Sequence, residues 1–311
     1  MKNNILVTGG LGALGYNLIL NLLQNSDNEI SVIDNLSSGN YNKLEGVNFI
    51  YLDISNAEKI NLFFENYYPD YIFHLAAHFA NQNSVDHPRS DVMTNIIGTI
   101  NLFESQKNNK QLKKIIFASS SCVYGNKVEM IEDINISPYD TPYAINKYVG
   151  ELYCKYYSEI HKIPNVILRI FNSFGPGELY GKYRNVIPNF IFKALKNEDL
   201  HITGTGLETR DFTYIDNTVN LLIKLSESKY YESEVFNSGT GKSISVLLLA
   251  ETIIKLTKSK SKIIFVPQRS WDHVHNRKSN IYKSENLLNY FPKINLEKDL
   301  EKTIEWLKSK I

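Results

Sequence analysis

The first half of the chain alternates short apolar runs with longer amphipathic stretches. Ile5–Val7, Ile30–Ile33, Phe49–Leu52, Tyr71–Leu75, Ile115–Ala118 and Val166–Ile170 are apolar runs rich in β-branched residues and read as six strands. Between the first two, Leu14–Gln24 puts Leu18, Leu22 and Leu23 on one face and reads as a helix. This alternation predicts βαβ units and a parallel sheet flanked by helices, an α/β fold. After Asn172 the texture changes. Gly175-Pro176-Gly177 breaks regular structure, a helix rich in aromatics begins in Arg184–Asn189, Thr203–Gly206 is a turn and Phe212–Asp216 a short strand. Val246–Thr257 and Leu296–Lys308 read as helices and Ile263–Val266 as a strand. The expected organisation is a large domain over residues 1–171, with a return segment near 211–238, and a smaller mixed α/β domain over 172–311 that closes over it.

Polar or glycine residues follow nearly every strand, and open α/β sheets bind ligands at that edge. The first strand empties into Gly9, Gly12 and Gly15, spaced G-x-x-G-x-x-G. Missing side chains let the chain turn tightly, let backbone approach a pyrophosphate and let the helix pack on its strand. The helix N-terminus then offers the positive end of its dipole to the phosphates. Asp34 closes the next strand, 19 residues beyond Gly15. A carboxylate there accepts hydrogen bonds from ribose hydroxyls and repels a 2′-phosphate, which argues for NAD over NADP; the alternative is a cap on the turn Ser37-Ser38-Gly39. Asp53 reads equally as an adenine contact or as the start of a turn. Together these features predict a Rossmann-type dinucleotide-binding sheet.

Further along, Thr141-Pro142 is a good helix start, with Thr as N-cap and Pro in the first turn. It places Tyr143 and Lys147, four residues apart, on one face. A free phenol titrates near about 10, and a neighbouring ammonium is expected to lower that value. Ser120, 23 residues upstream at a strand end, is placed to hydrogen-bond the same substrate oxygen as it becomes a carbonyl. The alternative for Tyr143 and Lys147 is a surface helix in which both are incidental.

Composition narrows the field. The 311 residues carry 34 Lys and Arg against 33 Asp and Glu, a net charge of +1, so no electrostatic footprint for nucleic acid or an acidic membrane is expected. Val246–Ala250 is far too short an apolar run to span a bilayer, and the N-terminus lacks a signal-peptide pattern. Cys122 and Cys154 have no metal-type spacing, and no metal is expected. A cytoplasmic protein with reduced thiols is the expectation.

Thr8–Gly15, Asp34–Gly39, His74–Ala77, Ser119–Gly125 and Tyr143–Lys147 resemble the extended short-chain dehydrogenase/reductase family, and within it the nucleotide-sugar epimerases of the UDP-glucose 4-epimerase type. The similarity continues through Leu168–Asn172, Val186–Pro188, Gly204–Phe212 and Arg269 with Asp272, covering nearly the whole chain. The resemblance implies Tyr143 as general base, Lys147 as its electrostatic partner and holder of the nicotinamide ribose, and Ser120 as the hydroxyl that positions the sugar oxygen. It implies an NAD site that includes Ala13, Leu14, Asn35, Ser38, Gly39, Ile54, Leu75, Ala76 and Ala77. Asn95 matches an Asn that supports the Lys through water. Asn172 and Ser121 fall at substrate positions, Arg210 and Arg269 at positions that hold the diphosphate, with Asp272 beside them, and Val186 and Asn189 in the stretch lining the nucleotide pocket. Arg210 reads equally well, from the residues alone, as a salt-bridge partner of Asp211 or Glu208.

The family oxidises a sugar hydroxyl, usually at C4, and parks the hydride on NAD. The 4,6-dehydratases place an Asp-Glu pair directly after the catalytic hydroxyl; here those positions are Ser121 and Cys122, which disfavours water loss. No uronic-acid-specific arrangement that a decarboxylase needs is evident. The expected function is therefore an NDP-sugar 4-epimerase, in which the keto sugar is re-reduced on its other face. The stretches His78–Asn83, expected as a loop over the sugar, and Gly175–Asn185 depart from the UDP-glucose 4-epimerase pattern. They keep open a 4-dehydrogenase that releases the keto sugar, for example from a GDP-linked heptose of a surface polysaccharide. His78, His273 and His275 are weighed as extra acids or bases, although single loop histidines are more often surface residues. A non-catalytic NAD-binding redox sensor is a remote alternative, since such members typically lose the Tyr or the Lys. A homodimer or higher homo-oligomer is expected through Met93–Lys107 and Tyr143–His161. Ile96, Leu102, Phe103, Val149, Leu152 and Tyr156 supply either its apolar face or intramolecular core.

Overall fold

Side chains alternate across the central strands because both faces of the sheet are covered. Ile5 and Val7 enter one apolar layer while Leu6, between them, enters the other; Val166, Ile167 and Leu168 divide in the same way. The computed structural model describes residues 3–38, 44–136 and 138–311. Seven strands form the main sheet: β1 (Asn3–Thr8), β2 (Asn28–Asp34), β3 (Asn48–Tyr51), β4 (Tyr71–His74), β5 (Lys114–Ser120), β6 (Asn165–Ile170) and β7 (Glu232–Ser238). Their order is β7-β6-β5-β4-β1-β2-β3, and every neighbouring pair is parallel. The order reverses beside β1, so the C-terminal ends of β1 and β4 open the crevice where such sheets bind ligands. The protein is therefore a Rossmann-type α/β fold.

Helices Ala13–Leu22 and Ile215–Glu227 cover one face; Ala57–Phe64, Gly98–Ser105 and Pro142–His161 cover the other. The C-terminal part adds helices Val246–Thr257 and Leu296–Lys308, whose Leu249, Ile253, Leu300, Ile304 and Leu307 join the first layer. Three small strand sets complete it, among them the three-stranded set of Ile244–Ser245, Thr209–Arg210 and Asn276–Arg277.

Four expectations are corrected. Phe212–Asp216 is not one strand: only Thr213–Tyr214 pair, and Ile215 starts a helix with Asp216 as the acid of its first turn. The aromatic helix starts at Val186, with Asn185 extended before it. Asn81–Asp86 is helical rather than loop. The stretch 93–107 is not one α-helix: a π-helical turn, Met93–Ile97, precedes the α-helix Gly98–Ser105. Leu102 and Phe103 are fully buried intramolecular core, whereas Leu152 and Tyr156 are nearly half exposed, at 45 % and 46 %. Gly39 lies outside the described residues.

Candidate active site

One cavity of about 400 Å³ runs along the C-terminal edge of the sheet, from the glycine turn to the three-stranded set. Its floor at one end is the turn after β1. Gly9 has φ +69°, and a Cβ there would meet the Ala76 backbone at 2.7 Å; a Cβ on Gly15 would meet Gly10 Cα at 2.5 Å. Neither position accepts a side chain without moving backbone, so the turn and the helix that follows are held against β4. Gly12 stands extended as the residue before the helix, and Ala13, Leu14 and Gly15 open the helix at the cavity wall. Asp34, at the end of β2, accepts the N–H of Leu11 at 3.0 Å and that of Leu36 at 2.8 Å, and it too lines the cavity. The carboxylate thus braces the glycine turn while facing the space where a ribose would lie. Asn35, Ser38, Ile54, Leu75, Ala76 and Ala77 complete this end. A backbone cradle that a Cβ would fill, a helix N-terminus and an acid beside it fit a dinucleotide.

The middle of the cavity belongs to the helix Pro142–His161. Thr141 caps it, its Oγ1 accepting the Ala144 N–H at 3.2 Å, and Pro142 occupies the first turn. Tyr143 is pinned through its own N–H to Ser84 Oγ at 3.0 Å. One turn on, Lys147 donates to the Ala118 carbonyl at 2.8 Å and is almost wholly buried. Below them Glu151 takes both the Nε and Nη2 of Arg169, at 2.9 and 2.7 Å, a bidentate buried pair that locks this helix to β6. Ser120 ends β5, and its Oγ accepts the Cys122 N–H at 3.2 Å to start a short 3-10 turn over Ser121–Tyr124. Tyr143, Lys147, Ser120 and Ser121 all line the cavity.

The electrostatics differ from expectation at one point. Burial pushes the Tyr143 phenol well above its ordinary value, and the negative charges of Cys122 and Asp91 push the same way, against a lowering by Ser120. Desolvation dominates here. Burial also lowers Lys147 to about 8, with Asp91 acting in the opposite direction. Beneath, His74 bridges Thr8 Oγ1 at 2.8 Å and Thr99 Oγ1 at 3.0 Å, and burial lowers it to about 3, so it is a neutral fixture.

The far end gathers Asn172, Arg210, Arg269 and Asp272. Arg210 pairs with Asp272 at 3.5 Å, not with Asp211 or Glu208, which serve Thr240 and Thr205. Arg269 lies over the Trp271 ring, and Trp271 Nε1 donates to Gln82 at 3.0 Å, tying this loop to the Asn81–Asp86 helix. Four expected residues stay outside the cavity. Asp53 spends its carboxylate on Asn35 and on both the N–H and hydroxyl of Ser55, the turn alternative. Asn95 clamps the backbone of His78, accepting at 3.1 Å and donating at 3.2 Å. Asn189 braces the Gly181–Asn185 loop through four hydrogen bonds, and Val186 starts the helix behind it. His78 lines the cavity, 3.5 Å from Asp91, while His273 and His275 do not.

Sequence reasoning passed over Asn81, Cys122, Glu178, Arg184, Trp271 and Arg277 as site residues, and all six line the cavity. Trp271 sits between Arg269 and Asp272, so proximity was a usable signal. Arg184, which bonds the Ser38 carbonyl from across the cleft, and Arg277 lie in basic stretches that resemble any solvated surface.

The model of the NAD dependent epimerase/dehydratase family matches residues 5–239. The fold superposes with TM-score 0.94 on an epimerase of Methanothermobacter thermautotrophicus, 39% identical, over 99% of this chain and 93% of that one. It superposes with TM-score 0.92 on the UDP-glucose 4-epimerase of Thermotoga maritima solved with UDP-glucose, 32% identical over 99% of both chains. A UDP-N-acetyl-alpha-D-glucosaminuronate decarboxylase of Bacillus cytotoxicus is 31% identical over 99% of this chain and 98% of its own.

Proposed function

The chain belongs to the NAD dependent epimerase/dehydratase family, and on that premise we propose that it is a UDP-sugar 4-epimerase. The observation that carries this reading is the single cavity in which Tyr143, Lys147 and Ser120 stand between the glycine cradle and the arginines 210 and 269. A nucleotide sugar bridges such a layout naturally, its diphosphate on the guanidinium forks and its sugar at the phenol. UDP is favoured because the Thermotoga maritima relative, similar over its whole length, is solved with UDP-glucose.

Tyr143 takes the proton of the sugar C4 hydroxyl and later returns it, and Ser120 donates to the same oxygen as it becomes a carbonyl. NAD supplies the carbon that accepts and gives back hydride and, when oxidised, a positive charge. That charge matters for the residues: buried Tyr143 is a neutral phenol until positive charge enters the site. Lys147, buried and held on Ala118, keeps its ammonium fixed beside the helix face that carries the phenol. The Arg269–Trp271–Gln82 linkage ties the far-end loop to the Asn81–Asp86 helix, beside the space in which the keto sugar would turn.

The test is a panel of UDP-sugars incubated with the purified protein, with products separated and weighed. An isomer of unchanged mass is expected. Loss of two hydrogens identifies a dehydrogenase, loss of water a dehydratase and loss of carbon dioxide a decarboxylase; each overturns the epimerase reading. We further read the exposed stripe Ile145, Leu152, Tyr156 and Ile160 on the Tyr143 helix as a homodimer face, checked by sedimentation.

A further inference from the structure

One fully buried carboxylate has no part in the steps above. Asp91, in the short helix Pro88–Val92, is 0 % exposed. Its Oδ1 accepts from Asn146 Nδ2 at 2.6 Å, and Asn146, itself buried, is the residue before Lys147 on the helix Pro142–His161. Its Oδ2 has no hydrogen-bond partner among the described residues and lies 3.5 Å from His78 Nδ1, which is buried and equally without one. An N–H on that ring nitrogen, turned to Oδ2, satisfies both atoms. His78 is fixed for this by Asn95, which holds its backbone N–H and its carbonyl, and it lines the cavity. A carboxylate taken wholly out of water is costly, and its field is weakly screened, so it acts on the buried groups around it.

We infer that Asp91, bridged to the site by Asn146 and His78, is a positioning residue for the reaction: the fixed negative charge that sets the pH window in which Lys147 is an ammonium and Tyr143 exchanges its proton. The inference rests on the proton transfer at Tyr143 proposed above. A buried negative charge favours the ammonium and disfavours the phenolate, so it moves both transitions to higher pH. Its field reaches both groups: Asp91 raises Lys147 against the lowering by burial, and raises Tyr143 after burial and Cys122. The other titratable groups around the pair do not take its place. From β4, His74 is a neutral fixture. On the same helix as Lys147, the charge of Glu151 is taken by Arg169, and burial pushes the Cys154 thiol up so that it stays protonated. Cys122, in the 3-10 turn, acts on Tyr143. Asp91 is met by an amide and an imidazole, which leave its charge free to act on the site.

Two measurements on the full chain test this. The first is the pH–rate profile of UDP-sugar turnover. Asp91→Asn keeps the shape of the side chain and an oxygen for Asn146, and removes the charge. Both limbs of the profile are expected to move to lower pH by about one pH unit, the effect of one nearby charge. Asn146→Ala removes the tether and keeps the charge, and is expected to leave both limbs in place. A lower rate at every pH with unmoved limbs in Asp91→Asn, or the same displacement in both variants, means a structural role and overturns the inference. Should Asp91→Asn fail to fold by circular dichroism, Asp91→Ser is read in the same way. The second measurement needs no sugar. Lys147 is lowered to about 8 in the fold, so the cost of burying it fades as pH climbs from there. Without Asp91 the folded value drops further. The stability gained by Lys147→Met, followed by urea unfolding across pH, is therefore expected to be larger in the Asp91→Asn background and to start fading about one pH unit lower. An identical pH dependence in the two backgrounds overturns the inference. No turnover of any sugar of the panel by the parent chain overturns the catalytic reading and the role of Asp91 in it, and the unfolding series reports the coupling of Asp91 to Lys147 separately.

Discussion

The two ends of the cavity are built on different principles. The dinucleotide end is organised by one strand–turn–helix and the acid of the next strand, residues Thr8 to Asp34, and the defining property of its turn is the absence of side chains. The sugar end is made of charged and polar side chains from several separated stretches, among them Asn81, Ser120 with Cys122, Arg210, Arg269 and Arg277. The first is specified by sterics, which act between neighbours in sequence. The second is specified by convergence, which depends on the sheet, the helices and the C-terminal strands all being in place. An end of the first kind is hard to vary without losing it. An end of the second kind can change its ligand by exchanging single side chains, and relatives carry the names of epimerase and decarboxylase alike.

The comparison breaks most sharply where the ends meet. Tyr143→Phe removes the proton carrier while leaving both ends built, and is expected to lower turnover by about 10²–10⁴-fold with UDP and NAD binding kept. Steady-state kinetics beside calorimetric titration of each ligand checks it; a variant retaining full function instead points to a redox sensor. Gly9→Val places a Cβ 2.7 Å from the Ala76 backbone at a left-handed φ. It is expected to weaken NAD by about 100-fold or more, for a strain of roughly 3 kcal/mol, with UDP affinity little changed. Circular dichroism melting shows that the fold survives. Arg210→Ala is the mirror experiment: UDP-sugar affinity falls about tenfold, as for one charge-assisted contact, and NAD affinity holds. If either substitution weakens both ligands equally, the two ends are not independent.

A smaller effect concerns pH. Lys147 is lowered to about 8 in the fold against 10.5 unfolded. The unfolded chain therefore binds more protons than the folded one between those values, and stability attributable to this group rises as pH climbs through that window. Below pH about 8 its burial is a full cost. Lys147→Met is accordingly expected to be more stable than the parent at neutral pH, by up to a few kcal/mol, and the advantage to shrink as pH approaches 10. Urea unfolding at several pH values measures it; an advantage that does not vary with pH means Lys147 is not the source.

Much of the architecture was legible along the chain. The helices Val246–Thr257 and Leu296–Lys308 have the bounds their periodicity predicts, because each buries a regular apolar face, and the strand Ile263–Val266 has its predicted bounds too, paired along Leu200–Thr203. The glycine turn and the Tyr143–Lys147 face were legible because both depend on spacing within one element. Asn95 and Asn189 were not, since an amide side chain serves a ligand or a backbone equally well and only its neighbours decide which. The strand drawn at Phe212–Asp216 was cut short because Ile215 starts a helix that covers the sheet.

The sequence by itself determined the order of strands and helices, the dinucleotide turn and the helix that carries phenol and ammonium, because side-chain periodicity and Cβ sterics act over a few residues. Tertiary structure alone decided the charge state of the site. It buried Tyr143 and so raised a phenol that the sequence suggested was lowered, and it set Arg277 against Cys122 from 155 residues away. Desolvation and Coulomb interaction depend on distance in space, and no pattern along the chain encodes that distance.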